Sequence, residues 1–392
     1  MLTLYGLGTT IGAGIYVLVG KVAGSAQGFA PVAFLLASLL VGFSALAFAE
    51  LSARLPRSAG EAVYVHTGFG SRNLALAVGL LVVLAGLVSC ATISRGFVGY
   101  LQEFVDLPWW MGLVSVVIGL GILAAWGIAE SASLAAVLTL IEAAGLFFVI
   151  WSGRGALADF PLRWQELVPP LEAGAWLGVL SGAVIAFYAF IGFEDMVNVA
   201  EEVRDVKRTL PLAILATLGL TTVIYLLLGV VAVLAVPAAD LAASDAPLAL
   251  IVQRSGGSGA WISIVAILAV LNGALVQLIM ASRVLYGLSN RGWLPPLLGR
   301  VHPKRRTPVV ATALVTLVAL GFALALPLET LARATSLVTL VIFALVNLAL
   351  WRIKAGDPRP EGVMVFPRWI SLCGFLVSGG VLVIEGLRLL LL

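Results

Sequence analysis

Eleven times along its length the chain returns to an apolar run of about 20 residues, enough for a helix to cross the hydrocarbon of a bilayer. The runs fall at 3–24, 29–53, 73–101, 109–128, 131–152, 174–200, 210–236, 259–289, 308–327, 330–351 and 368–392. Charged residues are only 11% of the chain and hydrophobic ones 61%. A soluble domain carries about 25% charged residues, which cover its surface. The pattern predicts an all-α polytopic membrane protein with about eleven transmembrane helices. The stretch 237–258, with Pro237, Asp240, Asp245, Pro247 and Arg254, reads as an external loop holding one short helix over 246–253.

Other function classes are poorly provided for. The net charge of +3 comes from loop arginines and gives no sign of nucleic-acid binding. Cys90 and Cys373 both sit in apolar runs, so no disulfide framework or metal set is expected. His66 and His302 are isolated in loops, and no run contains the nucleophile–base pair an enzyme would need. No cofactor is expected. No basic region precedes the first run, so a cleavable signal peptide is not expected, and any tail before that run is very short or missing. Loop cations fix the orientation. With the N-terminus inside, fifteen lie in inner loops and four (Arg154, Arg163, Arg254 and Arg388) in outer ones. The expected location is the cell's inner (plasma) membrane, with a cytoplasmic N-terminus.

Two of the runs are interrupted. Glycine occurs at 6, 8, 12 and 14 in the first, and each glycine inside a helix costs roughly 0.5–1 kcal/mol relative to alanine. The sixth holds Gly192 followed by Glu194 and Asp195. Broken helix at membrane depth is tolerated only where it faces protein or a wet cavity. Five spans separate the two breaks, an odd number, so two halves of the chain would insert with opposite topology. Paired broken helices in corresponding places point to an inverted-repeat secondary transporter. The expected units are residues 1–152 and 174–352, with 353–392 as an additional helix.

Four motifs, in order, carry a family likeness. They are Gly8-Thr9-Thr10-Ile11-Gly12-Ala13-Gly14-Ile15; Phe48 to Pro56 with Gly60 to Val65; Phe187 to Asp195 with Glu201 to Arg204; and Ala281 to Tyr286 with Asn290 to Pro295 and Val301-His302-Pro303. The chain resembles the amino acid–polyamine–organocation transporters, most closely their cationic-amino-acid-transporter-like bacterial branch. The resemblance implies the LeuT-type fold of five helices plus an inverted five, alternating access, and an α-amino acid as the small-molecule partner. Members usually have a longer N-terminal segment and often a twelfth span.

Candidate residues follow from both lines. Ile11, Gly12, Ala13 and Gly14 are placed to hold a substrate carboxylate on exposed amides at a half-helix N-terminus; close packing through small residues is the alternative. Tyr188, Ala189 and Ile191 form the counterpart, with carbonyls for the substrate ammonium. The family places an aromatic lid at Tyr188; an ordinary helix kinked at Gly192 is the alternative. Glu142 is a mid-membrane carboxylate, which must be paired, protonated or functional. The related proton-coupled members carry a lysine at this position, so the sign is reversed here. Glu142 is expected to carry a coupled proton or to be a hydrogen-bonded structural acid, and a proton gradient is the expected energy source. Glu194 and Arg95 are a candidate gate pair, although an acid at 194 or 195 paired with Arg283 or Arg95 could equally serve the fold. Asn272 either meets substrate or joins helices. Glu50, Arg54, Glu201, Glu202 and Arg204 form either an inner-gate network or a solvated rim. An exchanger without ion coupling and a transport-inactive sensor are the competing functions, and the oligomeric state is not legible.

Overall fold

The structure is a computed structural model, and it describes residues 2–56, 60–127 and 132–391. Arg57, one of the expected inner cations, and the side chains of Glu201 and Glu202 lie outside the described part. Regular structure among the described residues is entirely helical. In order the helices are α1 (Leu2–Ala26), α2 (Ala30–Arg54), α3 (Gly60–Phe69), α4 (Arg72–Gln102), α5 (Trp109–Trp126), α6 (Ala132–Ser152), α7 (Arg154–Ala158), α8 (Phe160–Arg163), α9 (Ala173–Ala189), α10 (Val206–Ala235), α11 (Ala238–Ala243), α12 (Pro247–Arg254), α13 (Ala260–Asn290), α14 (Val309–Ala325), α15 (Leu328–Gly356) and α16 (Arg368–Leu391). Eight stretches are long and apolar enough to cross a membrane. The first of them, Leu2–Arg54, is two helices joined by a 3₁₀ turn at Gln27–Phe29. Adding the shorter apolar helices Ala136–Ser152 and Val309–Ala325 brings the number to the eleven expected. The chain is a polytopic helical membrane protein.

Position in the bundle follows from which faces are apolar and buried. From Thr10 to Gly20 every residue of α1 is buried. A helix apolar all round belongs at the centre, and α1 packs on α6, α9, α10, α11 and α13. Helices α5, α14 and α16 instead turn large apolar side chains outward, such as Ile122 (58% exposed), Leu317 (62%) and Val383 (62%). Trp126, Trp151, Trp261 and Trp369 stand exposed at helix ends, where an indole sits at the membrane–water boundary.

Local signals set several ends. Ser71 Oγ accepts from Leu74 N at 3.3 Å and starts α4. Gly127, at φ 91°, ends α5 in the left-handed region that glycine adopts without cost. The expected external helix is α12, preceded by the short α11. Helix α15 runs past the expected 351 to Gly356, and a buried ion pair explains why. Lys354 Nζ meets Glu50 Oε2 at 2.6 Å, and their side chains are 3% and 0% exposed. Arg54 takes the other carboxylate oxygen at 2.7 Å and donates to Asp357 O at 2.8 Å. Phe366 N donates to Glu50 Oε2 at 3.0 Å. Glu50 and Arg54 are therefore no solvated rim. They join α2, α15 and the 357–366 segment, and the fully buried Glu50 is saturated with donors, as a buried charge requires.

Removing one partner from such a cluster takes a charged donor from a fully buried carboxylate. Lys354→Met is expected to destabilise the protein by about 3 kcal/mol, read as a lowered unfolding temperature in detergent.

Candidate functional site

Both interrupted runs are broken, and they are broken against each other. Helix α1 leaves helical geometry at Gly12, with φ 20° and ψ −149°. Helix α9 ends at Ala189, and a 3₁₀ segment, Phe193–Glu202, resumes after Gly192 at φ 126°. A side chain on Gly192 would strike the carbonyl of Thr9. One on Gly14 would lie 2.9 Å from Ala189 Cα and 3.4 Å from Tyr188 Cδ1. Each break thus uses glycine to let the other helix's backbone come close.

Broken helix leaves carbonyls in want of donors, and a residue that the sequence reading missed supplies one. Tyr225 of α10, fully buried, places its hydroxyl 3.0 Å from Thr10 O, 3.4 Å from Ile11 O and 2.9 Å from Ala189 O. It donates to one of them at a time and stands between both breaks. Its ring packs edge-on against Phe190, with centroids 5.0 Å apart. The only sequence signal was a polar ring in an apolar run, which a membrane helix presents often. On the other break, Gly192 N donates to Glu194 Oε2 at 2.8 Å. Thr10 Oγ1, 2% exposed, has no partner among the described residues.

Beside the breaks lies a cavity of about 610 Å³. It runs from Gly12, Ala13, Gly14, Tyr188 and Ser89 to Tyr5, Glu61, Asp195 and Arg291 at the end of the bundle that carries α3. Space for a side chain on Gly12 is empty, so the α1 break faces the void. Tyr188 and Ser89 share a hydrogen bond of 2.8 Å. Asn272, Gly273, Val276 and Met280 of α13 complete the wall with Ile93. A second recess, of about 710 Å³, is lined by Lys21, Arg95, Trp109, Asp245 and Glu329. Among the described residues none lines both. Between them Val17 packs on Gly96, where no side chain would fit.

Of the seven residues expected to bind, Gly12, Ala13, Gly14, Tyr188 and Ile191 line the cavity. Ile11 and Ala189 lie behind it, 0% and 1% exposed, and meet Tyr225 through their carbonyls. Glu142 is 1% exposed and also lies behind the wall, which Thr139 lines one helical turn earlier. Its backbone carbonyl accepts from the Tyr16 hydroxyl at 2.5 Å. Arg95 and Glu194 are not brought together. Arg95 Nε donates to Ala323 O at 2.6 Å and the guanidinium lies over Trp109 in the second recess, whereas Glu194 holds Gly192. The carbonyls ending α14 satisfy the arginine, and no ion pair among the described residues includes Glu194.

A polytopic helical bundle with a central cavity walled by two broken helices is the build of a membrane transporter. The comparisons give the same class: the amino acid permease family matches residues 1–385, and the chain belongs to that family. Among its relatives are the branched-chain amino acid permease BcaP of Bacillus subtilis (29% identity, covering 96% of this chain and 86% of that protein). The methylthioribose transporter of the same organism is 29% identical, over 91% and 81% of the two chains. The vacuolar cationic amino acid transporter 4 of Arabidopsis thaliana is 31% identical, over 91% and 63%. The protein is a multi-pass membrane transporter and not an enzyme.

At the cavity's mouth Glu61 is buried on α3, and burial pushes its carboxyl up to about 7, with the Asp195 charge adding to the rise and its own backbone N–H opposing it. A carboxyl raised in the folded state adds stability below its unfolded value near 4.5, and that stability is lost as pH rises through about 7. The unfolding temperature is expected to fall across this interval, and Glu61→Gln should flatten the slope. An equal slope in both proteins would show that Glu61 does not titrate there.

Proposed function

We propose that the protein carries α-amino acids across the membrane by alternating access, driven by the proton gradient. The observation that carries this reading is the meeting of two helix breaks on one cavity of about 610 Å³, within the size range of small-molecule sites. Gly12, Ala13 and Gly14 line the void, and the N-terminus of the following half-helix favours an anion. Its amides hold the carboxylate. Carbonyls in the Tyr188–Ile191 segment accept from the ammonium, and Tyr188 covers the substrate. Tyr225 holds the Ala189 carbonyl from behind the cavity's wall. Ile93, Val276 and Met280 receive the side chain.

In this reading the chain forms a LeuT-type pair of inverted repeats, 1–152 and 174–352, followed by the helix of 353–392. The N-terminus is cytoplasmic in the plasma membrane, so the cavity opens inward in this structure. Glu142 carries the coupled proton: it is buried, and its backbone carbonyl accepts from the hydroxyl of Tyr16, about one helical turn after the α1 break. Relatives named for branched-chain and for cationic amino acids support the substrate class. One relative is named for methylthioribose, so that thiosugar belongs in the substrate panel.

Uptake of radiolabelled amino acids into proteoliposomes tests the reading, with an imposed pH gradient against trans-loaded substrate to separate symport from exchange. Gly14→Val forces the breaks apart, and overpacking of this kind costs about 1–3 kcal/mol. Uptake and ligand-induced thermal stabilisation should both drop roughly tenfold or more. Accumulation by the variant at the parent's rate would refute the site. Glu142→Gln should leave binding in place and flatten the pH dependence of uptake; an unchanged profile removes Glu142 as the coupling group.

A further inference from the structure

The segment joining α13 to α14 carries five cations, Arg291, Arg300, Lys304, Arg305 and Arg306, all exposed. No acidic residue occurs between Asp245 and Glu329. Among the described residues none of the five takes part in an ion pair. Arg54 and Lys354, at the same end of the bundle, both pair with Glu50, and Arg54 also meets Asp357 at 3.6 Å. Positive charge is thus gathered here and left uncompensated.

The segment is also shaped to present it. His302 Nδ1 accepts from Lys304 N and Arg305 N, both at 3.3 Å. Arg306 N donates to His302 O at 2.8 Å, and His302 N to Thr307 O at 2.9 Å. Thr307 Oγ1 donates to Ala125 O at 2.7 Å and fixes the turn to the end of α5. Beside the cations stand exposed apolar groups, Trp126 at 63%, Leu297 at 49% and Val301 at 41%. The Arg305 guanidinium lies 5.7 Å over the Trp126 ring. Exposed indole and aliphatic groups place this level at the headgroup boundary, where cations meet lipid phosphates.

We propose that the α13–α14 turn is a docking surface for anionic phospholipid headgroups. Retention of positive loops on one membrane face needs only a charge count. It does not need a tethered turn that sets unpaired guanidiniums beside an exposed indole. Arginine matches a phosphodiester with two parallel donors. Leu288 and Arg291, at the end of α13, line the mouth of the cavity, so a headgroup held here also braces the cavity's wall.

The test uses the purified full chain. Native mass spectrometry measures retained lipid, and thermal unfolding is followed in vesicles of phosphatidylcholine with and without phosphatidylglycerol. Phosphatidylglycerol is expected to stay bound and to raise the unfolding temperature. Each cation near an anionic surface contributes about fivefold in affinity, so Arg300→Gln/Lys304→Gln/Arg306→Gln should weaken phosphatidylglycerol binding by at least tenfold, roughly. Arg204→Gln/Lys207→Gln/Arg208→Gln removes the same charge from another loop at this end and should leave binding within about twofold, less than one cation's share. Equal losses in the two triple variants, or none in the first, overturn the proposal. So does stabilisation by inorganic phosphate in detergent that phosphatidylglycerol does not exceed, which would mark a free-anion site. If the first variant fails to fold, Arg300→Gln and Arg306→Gln decide singly, each with an expected loss of about fivefold.

Discussion

Peptide groups that have left their helix, in the middle of a low-dielectric bundle, are the constraint on which this structure rests. Each such group costs several kcal/mol if it finds no partner. The chain meets that cost at one place by setting two breaks face to face. Gly14 and Gly192 let the backbones close up, Glu194 takes the Gly192 amide, and the Tyr225 hydroxyl serves carbonyls from both sides. Helix α1 has to be central because its break must be enclosed by α9 and α10 on one side and walled by α13 on the other.

Charge is handled at the ends by the same logic. Glu50 is fully buried yet surrounded by Lys354, Arg54 and the Phe366 amide. Arg333, on the first turns of α15, takes Glu329 at 3.1 Å and Glu385 at 3.2 Å, with Ser181 at 2.8 Å. Arg95 finds carbonyls and an indole instead of a carboxylate. Cations that have such partners hold helices together. Among the described residues those of the α13–α14 turn meet no carboxylate, and this sets that surface apart.

Much of the scaffold was legible in the sequence because the bilayer imposes length and hydropathy on every span. Apart from the sixth run, whose α-helix stops at Ala189 where the break begins, the helix ends agree with the expected runs within a few residues, and the largest excess, around Lys354, comes from a tertiary ion pair that no local pattern announces. Glycine spacing located both breaks, since backbone freedom is written in residue type. It could not say which atoms close them. Tyr225, Thr10, Ser89 and Glu61 were missed because their roles depend on partners 36 to 215 positions away, as the Tyr225 bonds illustrate. The Arg95–Glu194 pairing was misjudged for a related reason: opposite charge in one membrane does not imply one depth or one face.

The Tyr225 hydroxyl has a single proton and three carbonyl neighbours within 3.4 Å. Two of those acceptors must therefore go without it at any instant, and the arrangement is frustrated by construction. Small rotations of the phenol, or sub-ångström shifts of either half-helix, change which oxygen is served without breaking a bond in net. A joint of that kind resists separation yet yields to sliding. One shared hydroxyl leaves each half-helix room for a small shift at the joint, where three fully satisfied carbonyls would hold both in register.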